Sequence, residues 1–304
     1  MNSEDVLAFL STRLRDDQKL PKHIQIASLN CGTLVSVYDE LSSNVISESI
    51  SSGVDTDPAK ATLKGLVEMI ERRAFTDGRR NGIPECQTAR SDGFAAFPKW
   101  PGVGASLMAR ENALSEAIER YVWARWWDDP TIAHTMRQID LESLWTGEGL
   151  LVDASKAVAI RSVFEVRPKL VGTDRTVVIY FANLDPLGVI SGGACGVDAE
   201  IADVRYRALS ELVRHAVATR KIFVGEAKPK TFYERRLEYF ASTRPGTDLV
   251  EMRLKASGQN AVMLPKLLWD AEVDHDFADV VSVHRCYFEN QPPFVGGELE
   301  RLCL

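Results

Sequence analysis

The 304-residue chain has five cysteines, Cys31, Cys86, Cys195, Cys286 and Cys303, and no two form a CxxC pair. This odd, scattered set excludes a disulfide framework, argues against a zinc site and suits a reduced, cytoplasmic protein. No apolar stretch has the length of a membrane span. The N-terminus, MNSEDVLAFLSTRLRDD, carries acids early and no apolar run of signal length. Positive charge is also short: 36 Lys and Arg face 43 Asp and Glu, a net −7 with a pI near 5.4. A broad electrostatic footprint for nucleic acid is therefore missing, and nucleic acid is not expected as a partner. The loop Gly102–Ser106, GVGAS, is no Walker motif, because no GKS or GKT follows it. His275 and His284 have no partner at ligand spacing and are read as structural, as is His215.

What is present is an ordinary globular composition, 45% hydrophobic and 26% charged, together with a phrase used three times. Ala61–Phe75 reads ATLKGLVEMIERRAF, Arg110–Ala124 reads RENALSEAIERYVWA and Tyr206–Ala218 reads YRALSELVRHAVA. Aligned by their cores they are GLVEMIER, ALSEAIER and ALSELVRH. Glu68, Glu116 and Glu211 lie 48 and then 95 positions apart. A solenoid needs a constant period, so the copies are one recurrent helix within a single fold.

Apolar residues recur at helical spacing in the first two copies: Leu63, Leu66, Val67 and Ile70, then Ala113, Leu114, Ala117, Ile118 and Tyr121. Residues three apart share a helical face, so Glu68 projects with Glu71, and Glu116 with Glu119. Each pair alone reads as a solvated face with ion pairs to Arg72 or Arg120. Repetition of ExxER on two apolar helices favours more, because solvent exposure demands no repeat. Clustered carboxylates repel unless cations sit among them, and Mg²⁺ takes oxygen ligands and bridges carboxylates to phosphates.

Along the chain, Asp5–Asp17 predicts an amphipathic helix for packing or dimerisation, which leaves a homodimer open. His23–Tyr38 predicts two strands about a turn at Asn30–Gly32. Asp57 and Pro58 suit the N-cap and first turn of the first ExxER helix. Thr76–Glu85 reads as a charged connector, and Cys86–Phe97 as a strand ending in a Gly turn. Trp123, Trp126 and Trp127 read as core. Leu151–Val166 and Arg175–Ala182 read as strands, the second central in its sheet. Gly188–Asp198, GVISGGACGVD, reads as a Gly-rich turn before the third helix, able to offer backbone N–H groups to an anion. Arg207 and Glu211 alone fit a plain i, i+4 ion pair. Thr231–Ser242 predicts a helix. Val262–Leu268, demoted by Pro265, and Val280–Phe288 predict strands.

At these residues the sequence resembles the YcaO family of ATP-dependent enzymes that modify peptide backbones. Its members carry two ExxER helices that hold Mg²⁺ on ATP, and a third helix with Arg and Glu four apart, matched by Arg207 and Glu211. The family's first turn is matched by Ser51, Ser52 and Gly53, and its second by Ser91, Asp92, Gly93, Phe94 and Ala95. Val54 stands where the family carries a turn lysine, and Asp92 where it carries asparagine.

The resemblance implies an α/β fold of mixed sheets packed with helices, in which three related turn-helix elements converge on an ATP/Mg²⁺ cleft. It implies one compact domain over 1–304, with an N-terminal helix and hairpin (1–48), a nucleotide-binding core (49–220) and a C-terminal part returning to the sheet (221–304). The implied metal ligands are Glu68, Glu71, Glu116 and Glu119. Arg120 and Arg207 would offset transition-state charge, with Ser52, Gly53, Ser91, Asp92, Arg120, Arg207 and Glu211 contacting nucleotide. The implied activity is ATP- and Mg²⁺-dependent cyclodehydration of Cys, Ser or Thr to azolines in a ribosomally made precursor peptide, in the cytoplasm. Thioamide or amidine formation, a non-catalytic ATP-binding or scaffolding subunit, and activation of an amide in a small molecule or RNA stay open. About fifty residues precede the first motif, too few for a fused leader-binding domain, so a separate leader-peptide-binding partner protein is expected.

Overall fold

The computed structural model describes residues 3–17, 19–29, 32–38, 51–80, 93–100, 104–140, 149–186, 188–226, 232–292 and 299–302. The chain divides into two compact units: Met1–Leu114 with Leu267–Tyr287, and Ser115–Lys266 with Phe288–Leu304.

The first unit opens with helix α1 (Ser3–Asp16) and an antiparallel hairpin, β1 (His23–Leu29) with β2 (Gly32–Tyr38). Strand β3 (Ser51–Asp55) pairs antiparallel with β2 and completes a three-stranded sheet. Helix α2 (Pro58–Arg80) follows. The Asp57 carboxylate accepts the Ala59 backbone N–H at 2.8 Å, and Pro58, which has no N–H to cap, takes the first helical position. Apolar residues of α1, β2 and α2 share one core, among them Leu10, Leu14, Val35, Val37, Leu66, Met69 and Ile70. Strand β4 (Gly93–Pro98) belongs to a second sheet, formed later in the chain with β11 (Leu267–Glu272) and β12 (Val281–Phe288), in the order β11-β12-β4.

The second unit contains the C-terminal half of α3 (Ala105–Asp128) and a four-stranded antiparallel meander. Its strands run in the order β5 (His134–Ile139), β6 (Ile160–Pro168), β8 (Arg175–Leu184), β9 (Val189–Val197). Helix α4 (Gly149–Ala157) precedes β6, and the two-residue β7 (Leu170–Val171) pairs in parallel with β10 (Val262–Met263). Helix α5 (Ile201–Phe223) packs on β9, followed by α6 (Phe232–Ser242) and α7 (Arg244–Lys255). Strand β8 is interior and buried from Val177 to Ala182, as its near-continuous apolar run predicts. Trp123 and Trp126 are fully buried, with Phe181 stacked edge-on to Trp123 at 6.4 Å. Arg253 lies over the Trp126 ring at 4.1 Å and donates to the carbonyls of Trp126, in the last turn of α3, and of Asp129 and Ile132, just beyond it.

Several sequence expectations change. Ser51–Asp55 is a strand, not a turn: Gly53 lies in it because α2 crosses so closely that a Cβ would strike the Ala61 carbonyl oxygen and sit 2.9 Å from the Gly65 nitrogen. Gly188–Asp198 is likewise mostly strand β9. There a Cβ on Gly192 would meet the Leu212 nitrogen and stand 2.6 Å from the Ala208 carbonyl oxygen, both on α5. Leu151–Ala157, read as strand, completes α4, and the strand begins only at Ile160. Helix α2 runs on to Arg80, through much of the expected connector. Helix α7, absent from the sequence reading, starts at a Thr243 cap whose hydroxyl accepts the Gly246 N–H, with Pro245 in the first turn. Residues 86–92 of the expected strand before Gly93 lie outside the described residues.

Candidate nucleotide and metal site

Both ExxER copies fold alike. On α2, the Glu68 carboxylate accepts from Arg72 one turn on, at 3.0 Å. On α3, Glu116 accepts from Arg120 in the same i, i+4 geometry. The arginine of the motif therefore holds the first glutamate of its own helix. The second glutamate turns to a neighbouring strand. Glu71 accepts the Ala96 backbone N–H of β4 at 3.2 Å. The Glu119 carboxylate faces β9, where a Cβ on Gly193 would lie 3.3 Å from it.

In the first unit, Glu68 also accepts the Ser52 backbone N–H of β3 at 3.1 Å, so Ser52 meets the acid pair through its main chain. Gly53 serves the helix-strand approach described above. Val54, where the family has lysine, is buried in β3. Ser91 and Asp92 lie outside the described residues.

In the second unit, the second and third copies share one electrostatic environment. Burial and then the charge of Glu116 push the Glu119 carboxyl up to about 7, while Arg120, Arg207 and Arg214 pull it back. Arg207 lies against β9 at Gly196, where a Cβ would stand 2.5 Å from its guanidinium. It does not pair with Glu211 at i+4; it donates to Asp203 at 2.9 Å. Glu211 pairs with Arg214, and the His215 ring stands 3.1 Å from its carboxylate. The third copy thus has Glu211 where the others have their first glutamate, but Arg214 in place of the second and His215 in place of the arginine. Arg214 belongs to this cluster although the sequence reading gave it no role. The signal was its position in the core alignment. His215 is buried as expected. Burial pushes it down to about 4, and Nδ1 donates to the Ser191 carbonyl.

The donor set fits a hard cation. Glu68 with Glu71, and Glu116 with Glu119, offer only oxygen, and Glu119 is raised by burial and then by the Glu116 charge, a cost that a divalent ion would relieve. Arginines on α3 and α5 place positive charge beside Glu119, where an anionic phosphate could also be met.

Neither the protein-family models nor the curated proteins contain a match to the chain. Solved structures do match. YcaO from Methanopyrus kandleri, bound with AMPPCP and Mg²⁺, aligns at a TM-score of 0.57 and 14% identity over 98% of this chain and 95% of that one. A chain of the E. coli microcin synthetase McbBCD complex with pro-MccB17 bound aligns at 0.59 and 10% identity, over 88% and 87%. The McbBCD complex also aligns at 0.54 and 11%, over 87% and 86%. The chain has a YcaO-like fold.

Proposed function

We propose that this chain binds ATP with Mg²⁺ and uses it to activate backbone amides of a ribosomally made precursor peptide, by cyclodehydration of Cys, Ser or Thr to azolines. The observation that carries the reading is the matched pair of ExxER helices on a YcaO-like fold, with Glu68–Arg72 and Glu116–Arg120 in the same geometry. The likeness to a YcaO bound with AMPPCP and Mg²⁺ supports the nucleotide, and the likeness to McbBCD with pro-MccB17 supports a peptide substrate handled within a complex. Thioamide or amidine formation would use the same machinery with sulfide or an amine as nucleophile.

In this reading Glu68, Glu71, Glu116 and Glu119 hold Mg²⁺, which when bound would neutralise phosphate oxygens. Arg72 and Arg120 keep the first glutamate of each pair oriented. Arg207 and Arg214, held by Asp203 and Glu211, set fixed positive charge where negative charge grows as a phosphoryl group moves. A nucleophile adds to the amide carbon, the amide oxygen accepts the γ-phosphoryl group of ATP, and inorganic phosphate leaves with that oxygen. Little of this needs covalent chemistry from the protein. Ser52, Gly53, Ser91, Asp92 and Glu211 complete the proposed nucleotide contacts.

Calorimetry with a non-hydrolysable ATP analogue tests the reading. Binding is expected only with Mg²⁺, and Glu68→Gln and Glu116→Gln are each expected to weaken it roughly tenfold or more, at least the loss that removing an outer-shell partner of a metal ligand causes. Binding that ignores both Mg²⁺ and the two substitutions would sink it. Buried Val54 favours a second reading, a subunit that binds nucleotide without turnover. Analogue binding without phosphate release on any precursor peptide would select that one.

A further inference from the structure

The sheet β11-β12-β4 carries a cluster that the nucleotide reading does not use. His284 and Cys286 are two apart on β12, so both side chains leave the same face. Asp270 stands on the adjacent strand β11. One carboxylate oxygen, Asp270 Oδ1, is the focus of three donors: His284 Nε2 at 2.8 Å, the Cys286 thiol at 3.6 Å and Arg110 Nε at 2.9 Å. The three ligand atoms all lie within 4.8 Å of one another. Zinc-type bonds of about 2.0–2.3 Å in a tetrahedron separate ligand atoms by roughly 3.2–3.8 Å, so small side-chain movements close the set. His284 and Cys286 are buried while Asp270 stays open to solvent, which gives a cation a way in.

We propose that Asp270, His284 and Cys286 form a binding site for a zinc-class divalent cation, separate in chemistry from the all-oxygen glutamate pairs. Thiolate, imidazole and one carboxylate oxygen suit Zn²⁺ or Co²⁺ and not Mg²⁺. Arg110 supplies the outer contact: its Nη2 donates to Asp270 Oδ2 at 2.6 Å, fixing the carboxylate with Oδ1 turned toward the other two ligands. The protons balance simply. Nε2 hands its proton to His284 Nδ1, which is buried and has no hydrogen-bond partner among the described residues. The thiol proton leaves to solvent, so one proton is released per cation bound. Neither CxxC spacing nor paired histidines mark the set in the sequence; HxC on one strand, completed by an acid on the next, has no local signature.

Cobalt titration of the full-length, chelator-stripped wild type under reducing conditions tests the site. The expected result is one equivalent of Co²⁺ giving a thiolate-to-cobalt charge-transfer band with strong tetrahedral visible bands. Zn²⁺ should displace the ion and excess Mg²⁺ should not. Cys286→Ser should lose the charge-transfer band, His284→Gln should weaken binding roughly tenfold or more, and Glu68→Gln should leave the band intact. A wild type with no such band overturns the proposal, as does a band that survives in Cys286→Ser. If a strand variant fails to fold, X-ray absorption of the cobalt-loaded wild type decides. One sulfur in the shell supports the site, and a shell of oxygen and nitrogen alone overturns it.

Discussion

A carboxyl pushed up to about 7 inside a folded chain is a statement about stability as well as chemistry. Below its ordinary value of 4.5 Glu119 is protonated in both states and contributes nothing. Between 4.5 and about 7 the unfolded chain has released the proton and the native chain has not, so native stability falls as pH rises through that window and levels off above it. With the metal stripped, Glu119→Gln should abolish this fall. At pH 8 the variant should exceed the wild type by on the order of 2 kcal/mol more than at pH 4, a shift discounted for partial exposure. Urea unfolding across pH measures the difference, and parallel curves would overturn the assignment. Arg253 presents the converse case, a buried cation kept for its donors. Burial pushes its guanidinium down to about 10, and it still caps one carbonyl in the last turn of α3 and two just past its end. Arg253→Met keeps the stem over Trp126 but orphans those carbonyls. It should cost about 2–4 kcal/mol in urea unfolding, and an unchanged midpoint would mean that water satisfies them.

At the scale of elements, glycine has two meanings that local sequence does not separate. GVISGGACGV contains the glycines of a turn, yet it is a buried strand, because α5 lies against it and leaves no room for a Cβ at Gly192. Gly53 misleads in the same way beside α2. What composition could not show was the helix overhead, a contact made by residues some sixteen to twenty positions later for Gly192. Where the signal is local, the reading held: the Asp57-Pro58 start of α2, the β1–β2 hairpin, the interior strand TVVIYFA, and Trp123 and Trp126 buried behind the second ExxER, with Trp127 only half-buried. The acid pairs were legible as repeated helical faces. Their division of labour, one glutamate to its own arginine and one to a strand, depends on neighbours that no spacing encodes. Gly192→Ala tests the packing account. A Cβ 2.6 Å from the Ala208 carbonyl oxygen cannot be absorbed by a rotamer change, because the obstacle is backbone. The substitution should destabilise by about 1–3 kcal/mol and lower the thermal midpoint accordingly. A neutral result would show that α5 can step away from β9.

For the whole molecule, the last expectation concerns delivery of substrate. The chain carries net charge −7, and no helix among the described residues is long and apolar enough to cross a membrane. Net negative charge gives no general attraction for an acidic peptide, so in the proposed function specific contacts bring the peptide to the glutamate pairs. A separate partner that binds the leader of a precursor would do this by tethering. Holding one end of the peptide turns capture of the modifiable segment into an intramolecular step, worth about 10²–10⁴ in apparent affinity without any new contact to that segment. The consequence is a split in the kinetics. Adding the partner should lower KM for the leader-bearing precursor by roughly 100-fold while leaving kcat nearly constant. It should change nothing for the leaderless peptide. Mass spectrometry of the product then reads the chemistry: loss of one water for an azoline, exchange of one oxygen for sulfur for a thioamide. Phosphate release should match modified residues one for one, because each amide oxygen departs on one phosphate. Full turnover of the leaderless peptide by this chain alone would remove the need for a partner. Phosphate release without any change in peptide mass would break the link between the nucleotide and the amide.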